Sequence, residues 1–310
     1  MQLLEDEGLV RLSENGYSRY LVSESSDEGQ AQKALRIGFL MAEPLNEQIG
    51  QFHHLIVEIQ VQLERLGFTP FFFHETLSSL GYDVKRMSSG ILKAPMDACL
   101  VVSGSREILE WFGSQEIPCL ALFGRADGLS LASAGPDKAV AFVETVRQLV
   151  ALGHRRIVLL NRKDRRFPGP GLSERAFIGE LKANGIGMSS FNLPDWEETP
   201  EGLCALLAEL FRVTPPSALV IDEVQLWVAV QQYLVAQSIR VPEQLSMVAT
   251  DYDPAFTWCS PSVAHISWDN EPIVRRVTRW AMALKKGRRD VRQVLSPAQF
   301  VRGGTVGPAS

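Results

Sequence analysis

Short apolar runs that alternate with helical spacing constrain this chain more than any other feature. From Arg36 onward, each run has the length of one β-strand and is apolar along its length, as parallel strands covered on both faces are. Strand–helix alternation is typical of βαβ units, so the sequence predicts an α/β fold with parallel sheets wrapped by helices. The runs are 37–41, 98–102, 119–123, 157–160, 218–221 and 245–249.

Apolar residues at three- and four-residue spacing predict helices between these runs. One such face comprises Leu55, Ile59, Leu63 and Leu66, and Gly67 then ends the helix. The strands fall into two groups, before and after about residue 154, which indicates two lobes. The other predicted helices are 137–152, 203–211 and 224–235.

The residues that directly follow the apolar runs are the first candidates for a binding site. In an open parallel sheet, ligands bind beyond the carboxyl ends of the strands. Loop solvation or helix capping would also explain any one of these polar residues. Asp251 lies in the densest polar cluster, Asp251-Tyr252-Asp253, and is therefore predicted to be functional. The residues at strand ends are Glu43, Ser103, Ser105, Asp222, Glu223 and Asp251.

Composition and charge exclude several classes of protein. The 310 residues are 45% hydrophobic and 22% charged, as in soluble globular proteins. The net charge of −5 gives no general attraction to nucleic acid. No apolar run approaches the ~20 residues of a membrane helix, and the acidic start is unlike a signal peptide. We therefore expect a cytoplasmic protein without a membrane partner.

Catalytic and metal-binding signatures are absent from the sequence. His53 and His54 are neighbours on a helix, where side chains point about 100° apart and cannot chelate one ion alone. No G-x-S-x-G, P-loop or H-E-x-x-H motif occurs, and nothing assembles a nucleophile, base and orienting group. The sequence predicts no enzyme, metal or cofactor. The cysteines lie far apart and are predicted to be small buried hydrophobic residues: Cys99, Cys119, Cys204 and Cys259.

A basic cluster flanks the strand at 157–160, formed by residues 154–156 and 162–166. A solvated face or interface explains it, and an anion or nucleic-acid patch is the alternative. The following loop, 167–171, precedes Ser173, which is a candidate helix cap. This loop is either a plain turn or a cradle for phosphate.

Several longer motifs resemble the LacI family of bacterial repressors in order and spacing, over about residues 36 to 308. LVALGHRRIVLL (149–160) is similar to the segment that links the family's two lobes, and RVPEQLSMVATDYDPAF (240–256) to its Val-Pro-x-x-x-Ser-Val-Val-Gly-Phe-Asp-Asp motif. PSVAHISWDN (261–270) and FVRGGTVGP (300–308) resemble the lobe-crossing segment and closing strand that follow. The resemblance implies a periplasmic-binding-protein-like fold of type I. In that fold two Rossmann-like lobes with parallel sheets are joined by three crossovers, and a small molecule lies in the cleft.

This resemblance also implies boundaries. The N-terminal lobe would comprise 36–154 plus 268–297, and the C-terminal lobe 155–267 plus 298–310. Residues 23–35 would be a linker, because their first part is polar and without periodicity.

The family's site residues map onto this sequence with departures. Its effector-binding aspartate falls on Asp251. Trp196 matches an aromatic that stacks on the ligand, although a buried structural role would also explain it. The family's binding arginine position holds Ser173, with Arg175 two residues on, so the arginine clamp is altered. Asp222-Glu223 replaces the usual Asn-Asp, which suggests a ligand with more donors or positive charge.

The first 22 residues resemble the end of a GntR-type winged helix. An amphipathic helix end closed by Gly8 precedes a predicted hairpin of 10–12 and 17–22, turned at 14–16. A helix end and one hairpin cannot bury a core. We therefore expect residues 1–22 to be the remnant of a DNA-binding head that is incomplete in this chain.

These features together predict the effector-binding part of a bacterial transcriptional regulator, such as a dimeric repressor. A sugar-like or nucleoside-like molecule bound between the lobes would change affinity for operator DNA. The alternative is a cytoplasmic small-molecule binding protein that does not bind DNA.

Overall fold

The computed structural model describes residues 10–12, 19–21, 34–163, 166 and 169–310. The chain forms two compact units, 1–34 and 35–310. In the first unit, β1 (Val10–Leu12) pairs antiparallel with β2 (Arg19–Leu21), which confirms the predicted pairing. The predicted helix end, the turn at 14–16 and the polar segment 23–30 lie outside the described residues. The assignment to a winged helix therefore stays a prediction.

The second unit is built around one ten-stranded, mostly parallel sheet. Its order is β4-β3-β5-β6-β7-β12-β11-β10-β9-β8, and β11–β12 is the antiparallel pair. The strands are β3 (Arg36–Leu40), β4 (Thr69–Phe72), β5 (Ala98–Val102), β6 (Cys119–Leu122), β7 (Ala132–Asp137), β8 (Ile157–Leu160), β9 (Ala218–Ile221), β10 (Ser246–Ala249), β11 (Ala264–Trp268) and β12 (Gln293–Val301).

Helices cover both faces of this sheet, as the alternation predicts. The face of Leu55, Ile59 and Leu63 is fully buried, and Gly67 ends that helix in the left-handed region at φ +72°. The predicted helices at 137–152, 203–211 and 224–235 are confirmed to within a few residues. The helices are α1 (Gly50–Arg65), α2 (Val84–Ile91), α3 (Arg106–Gly113), α4 (Lys138–Ala151), α5 (Leu172–Ala183), α6 (Pro200–Val213), α7 (Val224–Ala236) and α8 (Asn270–Lys285).

One strand, β12, belongs to both halves of the sheet. Its residues 293–297 pair in parallel with β7, and residues 298–301 pair antiparallel with β11. We call β3 to β7 the first half and β8 to β11 the second half. The chain passes between the halves along α4, after β11 and along β12, which agrees with the predicted fold of two parallel sheets joined by three crossovers. The residue boundaries of the two lobes stay a prediction.

Two predictions about individual residues need correction. Cys99 and Cys119 are buried opposite each other in β5 and β6, where burial raises the pKa of both thiols. Cys204 is exposed and Cys259 is half-buried, so burial was wrongly predicted for both, and all four thiols are free. Ser173 does not cap α5, because the helix begins at Leu172 and its N-cap is Gly171.

Among the residues that the structure describes, no cluster of His, Cys, Asp and Glu is arranged to hold a metal ion. Within the same residues, no helix combines the length and apolarity that crossing a bilayer requires.

Candidate functional site

A cavity of about 530 Å³ lies where strands of both halves end. Parallel strands bring their carboxyl ends to one edge of a sheet, so the residues that follow them converge. The first half contributes residues after β3, β5, β6 and β7, and the second half contributes residues after β8, β9 and β10. The strand-end residues around the cavity are Glu43, Ser103, Phe123, Lys138, Asn161, Asp222 and Asp251.

The structure brings eight of the nine predicted site residues together around this cavity. They are Glu43, Ser103, Ser105, Ser173, Arg175, Asp222, Glu223 and Asp251.

Trp196 is the predicted site residue that does not line the cavity. Its indole Nε1 donates a hydrogen bond to the backbone oxygen of Asn161 at 3.0 Å, and its ring packs on the apolar cluster of the second half. Asn161 lines the cavity, and Trp196 packs behind it. Trp196 therefore has the structural position that is the alternative to stacking on the ligand. Ser105 lines the cavity and also caps α3, where its hydroxyl accepts a hydrogen bond from the backbone N–H of Ile108.

Asp251 forms an ion pair that joins the two halves of the sheet at the cavity. Its Oδ1 lies 2.7 Å from Nζ of Lys138, the first residue of α4, so one partner comes from each half. The two side chains are 18% (Lys138) and 23% (Asp251) exposed. The same ammonium group lies 4.7 Å from the centre of the Trp268 ring. Sequence reasoning missed Lys138 because it follows β7, a strand without an apolar run.

Thr250 links two carboxylates beneath the cavity. Its buried hydroxyl Oγ1 lies 3.0 Å from Oδ2 of Asp251 and 2.5 Å from Oδ1 of Asp222. A hydroxyl has one proton to donate, so Thr250 donates to one of these carboxylates at a time. This end of the cavity is therefore rich in hydrogen-bond acceptors.

Glu174 enters the same end from the first turn of α5. Its Oε1 accepts a hydrogen bond from Nδ2 of Asn161 at 2.9 Å. Burial raises the pKa of Glu174, and the nearby charge of Asp222 adds to the rise. The rise is opposed by hydrogen bonds from the backbone N–H groups of Glu174 and Gly171 and by the charge of Arg125. The Asn161 amide oxygen is buried without a hydrogen-bond partner in the described part of the chain.

The cations of the predicted basic cluster that the structure describes have protein partners. Arg162 Nε lies 2.9 Å from Oε2 of Glu223, and Arg166 Nη2 lies 3.0 Å from Oδ1 of Asp195. His154 is buried, with Nε2 lying 2.9 Å from the backbone oxygen of Gly307. These contacts favour a structural role for the cluster over an anion patch. Arg175 also has a partner, since its Nη1 donates to the backbone oxygen of Pro170 at 2.8 Å.

Backbone strain concentrates around the cavity. Four non-glycine residues that line it have φ in the left-handed region, at 54° (Tyr82), 55° (Ser103), 57° (Phe123) and 63° (Glu223). Such conformations persist where the surroundings over-determine them, and they cluster at ligand sites. The strain therefore supports, independently of the strand ends, this cavity as the candidate site.

Comparison with known proteins gives a match to a family model and matches to solved structures. A family model described as a periplasmic binding protein-like domain matches residues 146–306. The transcription regulator CcpA of Lactococcus lactis is 12% identical, with a TM-score of 0.72 over 88% of this chain and 100% of that one. A LacI family transcriptional regulator from Enterococcus faecium with bound ribose is 15% identical, with a TM-score of 0.69 over 89% of this chain and all of that one.

The lac repressor dimer, bound to operator and the anti-inducer ONPF, is 15% identical, with a TM-score of 0.72 over 93% of this chain and 99% of that one. None of the curated proteins matches the chain. At these identities, the structural matches establish a shared fold.

Proposed function

This chain belongs to the periplasmic binding protein-like domain family, and we propose that it is the effector-binding part of a bacterial transcriptional regulator. The effector is a small polar molecule, sugar-like or nucleoside-like, held in the cavity between the two halves of the sheet. The observation that carries the proposal is the cavity itself. Its volume of about 530 Å³ falls in the usual range for small-molecule sites, and polar side chains from both halves converge on it.

The structural neighbours support a regulator rather than an enzyme. CcpA and the Enterococcus faecium protein are transcription regulators, and the latter holds ribose. The lac repressor structure is a dimer on operator DNA. By analogy, this chain acts as a homodimer whose DNA affinity depends on the effector.

The mechanism follows from the position of the cavity. A ligand that contacts both halves stabilises one arrangement of the halves over the other, and this differential affinity is what can shift an equilibrium. Asp251 and Lys138 supply polar contacts from opposite sides. Phe52 and Phe123, whose ring centres lie 5.1 Å apart, supply an apolar surface that Trp196 does not.

A thermal-shift screen over sugars and nucleosides tests the proposal, followed by calorimetric titration of any hit. A charge-assisted hydrogen bond contributes roughly 1.5–3 kcal/mol, so Asp251→Ala should weaken binding about 10- to 100-fold. The control is Glu209→Ala, which removes an exposed carboxylate on α6 that pairs with Arg212. If Asp251→Ala binds the hit as the parent does, the site assignment is wrong. If no compound stabilises the protein, the effector class is wrong.

A further inference from the structure

Acceptor groups crowd the second-half end of the cavity. Asn161 follows β8 and Asp222 follows β9, and these strands pair with Leu160 opposite Ile221, so the two residues are neighbours. Glu174 reaches the same place from α5 and is held by the Asn161 amide. All three residues line the cavity.

The cavity lining has an excess of negative charge. Among the residues that the structure describes, eight carboxylate side chains line it against four cationic side chains. Among those cations, Lys138 pairs with Asp251 and Arg162 with Glu223, and the charge of Arg125 acts on Glu174. A cationic occupant would reduce this excess, whereas a neutral occupant would not.

Two buried side-chain oxygens without a hydrogen-bond donor also indicate a ligand that donates hydrogen bonds. Asn161 is 3% exposed, and its Oδ1 has no donor within the described residues. Across the cavity, Oε1 of Gln51 is also buried without a partner, while Nε2 of Gln51 donates to the backbone oxygen of Trp268 at 2.6 Å. Buried acceptors are normally satisfied, so these oxygens indicate donors that the protein itself does not supply.

We propose that the effector carries a protonated amine, as in an amino sugar, and that Glu174, Asp222 and Asn161 hold the ammonium group. This inference rests on the proposed function of the cavity. An ammonium group has a positive charge and three hydrogen-bond donors, and so complements two carboxylates and an amide oxygen. A hydroxyl of a neutral sugar offers one donor and no charge.

Matched sugars test the inference by titration calorimetry at about pH 6.5, below the usual pKa range of an α-amine. Each set contains D-glucosamine, D-glucose and N-acetyl-D-glucosamine, or the galactose equivalents, so the charged amine is the difference within a set. At least one amino sugar should bind about 10-fold or more tightly than its neutral and acetylated partners. Glu174→Gln and Asp222→Asn should each remove most of that preference. Glu209→Gln, outside the cavity, should keep it.

The outcomes separate this inference from the proposed function. Equal or tighter binding of neutral sugars overturns the amine assignment and leaves the effector-binding function standing. A preference that survives both Glu174→Gln and Asp222→Asn overturns the assignment of residues. If no sugar of any set binds, the amino-sugar assignment fails, and the effector-binding function is decided by the wider screen of sugars and nucleosides. Should one variant not fold by circular dichroism, the parent's preference still tests the amine and the other variant still tests the residues.

Discussion

The ion pair between Lys138 and Asp251 gives the sharpest prediction, because it joins the two halves of the sheet in the absence of ligand. The perturbation is a pair of near-isosteric changes, Lys138→Met and Asp251→Asn, made singly and together. Each single change leaves one charged partner alone at the cavity. Asp251 without Lys138 would also face the nearby carboxylate of Asp222 across Thr250.

The geometry sets the magnitude. A hydrogen bond between charged groups contributes roughly 1.5–3 kcal/mol, whereas exposed ion pairs contribute about 0–1 kcal/mol. The 2.7 Å separation favours the upper range, and side chains that are 18% and 23% exposed keep some solvent screening. We therefore expect a coupling free energy of about 1–2 kcal/mol. The contact between the Lys138 ammonium and the Trp268 ring should add about 0.5–1 kcal/mol to the cost of Lys138→Met alone.

The assay is urea unfolding followed by tryptophan fluorescence, without ligand, for the parent, both single variants and the double variant. A second cycle on Arg212 and Glu209 is the control, because these side chains are 70% and 59% exposed. Its coupling should be about 0.5 kcal/mol or less. A Lys138–Asp251 coupling no larger than that of the control would refute the idea that this pair holds the halves together.

Two further predictions concern groups buried away from the cavity. Burial lowers the pKa of His154 from its usual 6.5, so the unfolded chain binds the proton more readily than the folded chain. The free energy of unfolding should therefore have its full value above about pH 6.5 and fall as the pH drops below it. His154→Gln should flatten part of that slope in urea unfolding, and His265, whose pKa burial also lowers, should contribute another part; an unchanged slope would contradict the prediction. Asp290→Asn should cost about 3–5 kcal/mol in the same assay, because the side chains of Arg276 and Asp290 are 6% and 7% exposed and lie 2.9 Å apart. Glu271→Gln, which breaks an exposed pair on α8, should cost far less, and equal losses would disprove the role of burial.

The apolar runs located strands only where both faces are covered. Strands β3, β5, β6, β8, β9 and β10 are almost wholly buried, so nearly every position is apolar, Arg36 and Ser246 excepted, and the run is visible in the sequence. Strand β4, at the edge of the sheet, begins Thr69-Pro70 and is half-buried. Strand β7 reads ASAGPD, whose small residues carry no apolar signal. Both strands owe their place to tertiary pairing rather than to local pattern.

The site shows the same division between local and tertiary information. Asp222 and Asp251 could be predicted because the end of a parallel strand fixes where the next residue lies. Asn161 follows β8 directly, so the same rule would have found it. Glu174 lies in a helix turn and Lys138 follows the unseen β7, so only the folded chain brings them to the cavity. The matched position of Trp196 says nothing about which way the ring faces.

Residues with a left-handed backbone conformation around the cavity affect which substitutions a selection for stability would favour. Holding a non-glycine residue in that region costs about 1–2 kcal/mol, so Tyr82, Ser103, Phe123 and Glu223 weaken the fold in return for fixed side-chain directions. Glycine at these positions would relieve the backbone and lose the side chain. In a library sorted by heat resistance alone, glycine should be enriched at these four positions on the rim of the cavity and also at Ser238, which has φ 56° and does not line it. A selection without any ligand would then mark residues on the rim of the candidate site.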